Sequence, residues 1–159
     1  MKSGYRGHNK RMLQDWFSAA LQTSRKCGRY ATKENKKMAF TRIAPLIRIF
    51  DENKAKEFYV EFLGFNIDFE HRDSDDARLY MQVSQGQCLL LLTGHHGGCS
   101  PGCAINIETD ELESYCKELN QKNYKFAKPG IQDMPWGSKN MSIADPFGNN
   151  ITFTNAIST

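Results

Sequence analysis

The chain has 159 residues, 40% of them hydrophobic, and a formal net charge of +3. This length suits one domain with an ordinary apolar core, and no apolar run approaches the roughly 20 residues of a membrane-spanning helix. The net charge conceals two opposite parts. Residues 1–38 hold ten Lys or Arg against two acidic residues, a balance of +8, whereas residues 39–159 hold eleven against sixteen, a balance of −5. The overall charge therefore identifies no partner.

The basic N-terminal part, residues 1–37, has the pattern of a short amphipathic helix that Gly28 can end. It lacks the continuous apolar segment of a secretory signal. Four interpretations stay open: an arm for nucleic acid or a membrane surface, a transit peptide, a helix that packs on the domain or its dimer partner, or upstream sequence before a natural start at Met38. The shared apolar face comprises Leu13, Trp16, Phe17, Ala20 and Leu21.

Residues 38–159 predict a strand, a helix and three strands, and then the same order again. In the first copy, Asp51 is a plausible N-cap, and apolar residues recur at helical spacing until Gly64 ends the helix. Gly86 provides the turn between the last two strands. The helical face holds Ala55, Phe58, Tyr59 and Phe62, and the strands are predicted at residues 43–50, 65–71, 79–83 and 88–93.

The second copy repeats this pattern. Thr109 or Asp110 can cap its helix, and Pro146, Phe147 and Gly148 provide the last turn. The helical face holds Leu112, Tyr115, Cys116 and Leu119, and the strands are predicted at residues 104–107, 126–128, 139–144 and 150–154.

Two groups of motifs accompany this repeat: Phe58-Tyr59 with Phe62-Leu63-Gly64-Phe65, and Pro135-Trp136-Gly137 with Asp145-Pro146-Phe147-Gly148-Asn149. With them, residues 38–159 resemble the glyoxalase, bleomycin-resistance and dioxygenase (vicinal oxygen chelate) superfamily, and most of all its bleomycin-resistance branch. The resemblance implies an α+β fold of two tandem βαβββ modules, about residues 41–93 and 102–155, that form a curved mixed-sheet cup. It also implies a homodimer in which modules from different chains complete each groove.

Metal-dependent members of this family place a His or Glu on the first and last strand of each module. The matching positions here are Ala44, Leu91, Cys103 or Ala104, and Thr152. Because a divalent catalytic centre needs about three protein ligands, we expect no metal and no cofactor. No nucleophile elbow or phosphate loop is present in the sequence, so no catalytic residue is assigned and we expect a protein that is not an enzyme.

Ala, Leu and Thr at these positions favour an apolar cup that binds a flat or amphipathic molecule by burial and stacking. Trp136 is the leading ligand-binding candidate because the matching Trp of bleomycin-resistance relatives lies at the ligand groove. Core packing is the alternative role for each aromatic candidate. The full set of predicted ligand-binding residues is Trp136, Phe69, Tyr80, Leu91, Met134 and Thr152.

Acidic residues around the second strand favour a cationic ligand, since carboxylates attract cations at a distance. The alternative for residues 73–76 is a solvated hairpin tip. Asp145 is better explained as a residue that caps its own turn. The acidic set comprises Asp68, Glu70, Asp73, Asp75 and Asp76.

Between the modules, His95, His96, Cys99 and Cys103 lie within nine residues and could bind zinc or copper. Their spacing fits no standard structural zinc motif, and the Gly-rich composition favours a flexible linker. The five cysteines have no disulfide-framework spacing, which indicates a reducing compartment and a cytoplasmic location. The two on apolar faces, Cys88 and Cys116, are interpreted as core thiols.

The predicted function is therefore metal-independent binding and sequestration of a small cationic or amphipathic molecule, as in bleomycin-type antibiotic resistance. The expected partners are a small ligand and a second copy of the chain, without membrane or nucleic acid. Two alternatives stay open: a metal-dependent lyase, isomerase or dioxygenase of the same superfamily, and an interaction module that uses the basic N-terminal helix.

Overall fold

The computed structural model describes residue 39 and residues 41–155, so the predicted N-terminal helix lies outside the described residues. The first module contains β1 (Leu46–Arg48), α1 (Glu52–Ala55, continued as π-helical Lys56–Phe62), β2 (Asn66–His71), β3 (Tyr80–Gln85) and β4 (Cys88–Thr93). The second contains β5 (Ala104–Glu108), α2 (Leu112–Gln121), β6 (Gln132–Asp133), β7 (Lys139–Ala144) and β8 (Asn150–Thr154). The predicted pair of βαβββ modules is confirmed.

Each module forms its own mixed four-stranded sheet, in the order β1-β4-β3-β2 or β5-β8-β7-β6. The first strand of each module runs parallel to the last, and the other pairings are antiparallel. In the first sheet Leu46 pairs with Leu91, and in the second Ile105 pairs with Ile151. In the first sheet, β1 and β2 run in the same direction at opposite edges. The chain therefore needs a crossover connection between them, and α1 provides it.

Helix α1 begins and ends where the sequence predicts. The Asp51 carboxylate accepts a hydrogen bond from the Lys54 backbone nitrogen at 2.9 Å, and Gly64 takes the left-handed conformation with φ of +83° after the helix. Phe58 and Tyr59 are fully buried between these ends. The helix therefore contributes an aromatic face, Phe58, Tyr59 and Phe62, to the core cluster.

Helix α2 begins slightly later than its predicted caps. Glu111 occupies the cap position without a side-chain capping bond, and the Thr109 hydroxyl accepts from the Glu111 backbone nitrogen at 3.2 Å. Leu112 and Leu119 are fully buried. Thr109 thus orders the residues before the helix instead of its first turn.

The strand predicted at residues 126–128 is wrong. Asn123 adopts a left-handed φ of +50° after α2, and a turn follows in which the Ala127 nitrogen donates to the Tyr124 carbonyl oxygen at 3.3 Å. The Tyr124 ring stacks on Phe62 with centroids 4.6 Å apart, which holds this turn against the first module. The short edge strand β6 forms instead, beyond Pro129.

The two faces of the first sheet carry different sets of side chains. Ile47, Met81 and Leu92 align across three strands, are fully buried and join one core cluster with the aromatic face of α1. The alternate residues lie on the other side, which we call the open face, a name that means only the side opposite the core cluster. The open face carries Leu46, Arg48, Asp68, Phe69, His71, Tyr80, Gln82, Ser84, Leu91 and Thr93.

Hydrogen bonds join the two modules along the C-terminal half of α1. The Tyr59 hydroxyl donates to the Asp145 carboxylate at 2.8 Å. The Tyr115 hydroxyl of α2 donates to the Leu63 carbonyl oxygen at 2.7 Å. Because the core cluster also contains residues of both modules, the modules form one packed unit. None of the described helices is long and apolar enough to cross a membrane.

Candidate ligand-binding face

Three of the six predicted ligand-binding residues lie together on the open face. Phe69 pairs with Gln82, which pairs in turn with Leu91, so these side chains form one row across three strands. The Tyr80 ring lies nearly parallel to Phe69, with centroids 6.4 Å apart and an interplanar angle of 5°. Each of these residues is half-buried. The face therefore combines an aromatic platform with aliphatic surface.

A bulge in β2 adds a carboxylate to this face. The register with β3 shifts between Ile67 and Phe69, and the intervening Asp68 accepts hydrogen bonds from Gln82 Nε2 at 2.8 Å and Ser84 Oγ at 2.7 Å. Two donors from β3 thus orient the Asp68 carboxylate. Sequence reasoning missed Gln82 and Ser84, although the alternation of β3 places both on the side of Tyr80.

Tyr80 keeps its proton at neutral pH. Burial, with a smaller contribution from the nearby Cys99, raises the pKa of Tyr80 to about 12. A phenol in this state can donate a hydrogen bond as well as stack. Arg48 and Thr93 lie beside Tyr80, because the register places Arg48 opposite Thr93 and Thr93 opposite Tyr80.

The linker between the modules passes over the β1 and β4 side of the open face. Gly98 lies so close that an added Cβ would sit 3.4 Å from Leu46 Cδ2 and 3.8 Å from Thr93 Cγ2. An isolated bridge joins His96 to Cys99. Within residues 41–155, no group of three or more His, Cys, Asp or Glu side chains is arranged to hold a metal ion.

The three predicted residues of the second module lie elsewhere. Thr152 is on the second sheet, where its hydroxyl is hydrogen-bonded to that of Ser142 at 2.9 Å. Met134 and Trp136 belong to the turn between β6 and β7, which Gly137 closes with a φ of +91° and a bond from its nitrogen to the Met134 carbonyl oxygen. Trp136 exposes 62% of its surface. Among the described aromatic residues, Trp136 has no ring contact with Phe69 or Tyr80.

The four family metal-ligand positions do not fit a divalent metal. Ala44 and Leu91 have no donor atom, and the Thr152 hydroxyl is bonded to Ser142. The remaining thiol, Cys103 Sγ, donates to Asn149 Oδ1 at 3.3 Å, and burial together with Asp145 raises the pKa of Cys103. Because metals bind the thiolate, this thiol is poorly suited as a ligand.

The acidic residues after the bulge face solvent or other side chains. Glu70 pairs with Lys56 at 2.6 Å, and His71 Nε2 lies 3.2 Å from the Asp73 carboxylate. Asp75 and Asp76 are exposed in the loop before β3. Within the predicted acidic set, the carboxylate of Asp68 is therefore the one that two side-chain donors hold on the open face.

A separate cavity of about 490 Å³ lies between the β3–β4 turn and α2. Its lining includes Gln85, Glu108, Glu111, Tyr115 and Glu118 and none of the six predicted ligand-binding residues. The cavity and the open face are thus two different surfaces. The open face is the better candidate because its polar groups converge on an aromatic pair.

The model of one protein family, described as glyoxalase superfamily protein, matches residues 29–159. The chain belongs to the glyoxalase superfamily. The resemblance carried by its motifs is confirmed, and the match begins at residue 29, ahead of Met38. No curated protein matches the chain.

Solved structures share this glyoxalase-superfamily fold at low identity. The bleomycin-binding protein of Streptomyces verticillus, complexed with copper(II)-bleomycin, is 22% identical with a TM-score of 0.59 and covers 76% of this chain and 100% of that one. A superfamily member from Sphaerobacter thermophilus DSM 20745 is 25% identical with a TM-score of 0.58 over 76% and 100%. An antibiotic-binding protein from Streptomyces sp. CB03234 is 22% identical with a TM-score of 0.57 over 76% and 100%.

Proposed function

We propose that this protein binds a small amphipathic molecule on the open face of the first sheet and protects by sequestration, without metal. The observation that carries the proposal is the Phe69 and Tyr80 ring pair beside Leu91 on the side of the sheet away from α1. Parallel rings with an adjacent aliphatic side chain suit the burial of a flat ligand. The residues at the four metal-ligand positions support binding over metal-assisted chemistry.

The oriented carboxylate of Asp68 supports a cationic group on the ligand. It lies one residue from Phe69 and is fixed by donors from Gln82 and Ser84. A preorganised carboxylate beside an aromatic surface favours an amine or guanidinium in that direction. The similar solved structures of a bleomycin-binding protein and of another antibiotic-binding protein support an antibiotic-like small ligand.

The proposed functional unit is a cytoplasmic homodimer. Trp136 projects from the β6–β7 turn of its own chain, where it is largely exposed. In the proposed dimer, Trp136, Met134 and Thr152 of one chain complete the groove that contains Phe69, Tyr80 and Leu91 of the other. Residues 1–37 form a separate extension in this proposal, and residues 38–159 form the ligand-binding domain.

The test is a fluorescence titration of the full chain with Trp16→Phe, which leaves Trp136 as the only Trp. Metal-free and copper-loaded bleomycin are added at low and moderate salt. We expect saturable quenching at about one ligand per chain with a submicromolar dissociation constant, since micromolar affinity, about −8 kcal/mol, would sequester poorly. Weaker binding at moderate salt would indicate a charge contribution.

Two further variants make this titration specific. Tyr80→Ala removes one ring of the pair and should weaken binding, whereas Tyr124→Ala removes an aromatic ring that packs on Phe62, remote from the open face, and should not. Absence of quenching with bleomycin would withdraw that antibiotic as the ligand. Equal affinity of Tyr80→Ala and the parent chain for any ligand found by screening would refute the open face as the binding surface.

A further inference from the structure

Arg48 is a buried arginine whose guanidinium is incompletely paired. It exposes only 9% of its surface, and its Nη1 is buried without a hydrogen-bond partner. Among the buried side-chain nitrogen and oxygen atoms of the described residues, Nη1 is the one that lacks a partner. Since arginine stays charged in proteins, this nitrogen is a desolvated donor without an acceptor.

Such an arrangement is unfavourable unless something else supplies the acceptor. A buried donor without a partner costs free energy, and a buried charge costs more. The Phe50 ring, whose centroid lies 5.2 Å from the Arg48 Cζ, stabilises the cation but offers no acceptor oxygen. The buried Asp145 does not compensate either, because its hydrogen bonds go to Tyr59, Phe147 and Asn149, and no salt bridge joins it to Arg48 among the described residues.

We propose that Arg48 forms an anion subsite of the ligand groove, which takes a carboxylate, phosphate or sulfate group of the bound small molecule. The register places Arg48, Thr93 and Tyr80 side by side on β1, β4 and β3, on the same open face as Phe69. Thr93 pairs with both Arg48 and Tyr80, so one residue separates the guanidinium-bearing position from the aromatic platform. The planar guanidinium fork matches two oxygens of such a group.

This inference rests on the proposed ligand groove and specifies the charge pattern of its ligand. Arg48 lies on β1 at one edge of the sheet and Asp68 on β2 at the other. Strands are spaced about 4.8 Å apart and Asp68 lies two to three residues along β2 from the level of Arg48, so the two residues are separated by roughly 17 Å. A ligand with an anionic group at one end and a cationic group at the other would match both, with its flat part over Phe69 and Tyr80.

The experiment uses the full chain and sodium phosphate, sodium sulfate and sodium acetate as probes, with sodium chloride at equal ionic strength as the reference. Binding is followed by isothermal titration calorimetry and by thermal unfolding, because an anion that binds the native state alone raises the melting temperature. The variants are Arg48→Met, Arg48→Lys and Arg42→Met. Arg42 is an exposed arginine just before β1 and serves as the matched control.

We expect saturable binding of at least one of these anions to the wild type and to Arg42→Met. Arg48→Met should lose about tenfold or more in affinity, the scale of a lost charge-assisted hydrogen bond, and Arg48→Lys should fall between them. Arg48→Met should fold, since an apolar side chain replaces an unpaired buried charge. If it does not fold, the affinity of Arg48→Lys relative to Arg42→Met decides the question.

Two results would overturn the anion subsite: no saturable anion binding to the wild type up to about 50 mM, or equal anion affinity in the wild type and the Arg48 variants. Neither result would change the conclusion drawn from the fluorescence titration of the groove, because bleomycin quenching of Trp136 does not require an anion at Arg48. Anion binding that depends on Arg48, in a protein that binds no larger ligand, would instead retain the subsite and refute the sequestration function.

Discussion

Asn149 donates a hydrogen bond from its side-chain nitrogen to the backbone carbonyl oxygen of Arg48, 2.9 Å away and 101 residues earlier in the chain. The same nitrogen lies 2.7 Å from the Asp145 carboxylate, which also accepts from the Tyr59 hydroxyl. The Asn149 side-chain oxygen accepts from the backbone nitrogen of Cys103 at 3.2 Å. One fully buried amide therefore connects β1, the linker and the last turn.

Replacement of Asn149 by Ala should destabilise the protein by about 2–4 kcal/mol, because several buried polar groups lose their partner at once. Urea unfolding monitored by circular dichroism measures the change. Asn150→Ala is the matched control, since the adjacent Asn150 side chain is exposed. Equal unfolding midpoints for the two variants would show that the Asn149 amide does not join the modules as described.

Buried tyrosines should make the protein sensitive to alkali. Burial, with a contribution from Asp145, raises the pKa of Tyr59, burial raises the pKa of Tyr115, and burial raises the pKa of Tyr80 to about 12. In the unfolded chain these phenols ionise near pH 10. Above that pH the unfolded state binds fewer protons than the native state, so stability is full below about pH 10 and declines as the pH rises toward 12 and beyond.

Tyr59→Phe isolates one of these groups. Between pH 10 and 12 the variant should lose stability less steeply than the wild type, by up to about 1.4 kcal/mol per pH unit. The measurement is urea unfolding at a series of alkaline pH values. Tyr124→Phe, at a less buried position, should change the slope less. Parallel pH profiles for the wild type and Tyr59→Phe would contradict the raised pKa of Tyr59.

Gly148 should resist substitution for a purely conformational reason. Its φ is +87°, and a Cβ added there would meet nothing within 4 Å, so Gly148→Ala strains the backbone without a clash. A left-handed Ala costs roughly 1–2 kcal/mol. Gly130→Ala is the control, because its Cβ would also meet nothing within 4 Å and no left-handed φ is present. Urea midpoints should fall for Gly148→Ala and stay equal or rise for Gly130→Ala.

Removal of metal should leave the protein unchanged. After dialysis against a chelator we expect the same melting temperature, and elemental analysis after zinc exposure should find less than one ion per chain. The double variant His95→Ala with Cys99→Ala should have the metal content of the wild type, because these residues belong to no group of three potential ligands among the described residues. Stoichiometric zinc that disappears in the double variant would favour the metalloenzyme alternative.

A shared groove predicts complementation between two inactive variants. If Trp136 of one chain completes the groove around Tyr80 of the other, Tyr80→Ala and Trp136→Ala homodimers should each bind ligand weakly. Mixed after unfolding and refolding together, they should form heterodimers with one intact groove, which restores about a quarter of the wild-type sites. Fluorescence quenching cannot follow Trp136→Ala, so calorimetric stoichiometry is the measurement. No recovery on mixing would place the complete site within one chain.

Much of the fold was accessible from sequence because it rests on local chemistry. The Asp51 cap, the left-handed Gly64 and the period of Phe58 and Tyr59 each act within one helix. Asp145 also behaves as predicted, since its carboxylate accepts from the backbone nitrogens of Phe147 and Asn149. The prediction of a strand at residues 126–128 was wrong because the Phe62 ring, which is distant in the chain, holds Tyr124 in a turn. Local propensity contains no information on that contact.

The sequence by itself determined the two βαβββ modules, the Asp51 cap, the Gly64 and Asp145 turns, and the absence of His or Glu from the family metal positions, because periodicity and motif spacing are local properties. Only the tertiary structure decided which side chains meet. The β2 bulge brings Asp68 to Gln82 and Ser84, the strand register places Tyr80 beside Phe69, and Arg48 is buried with an unpaired nitrogen. These arrangements depend on contacts between residues far apart in the chain, which alternation along one strand does not encode.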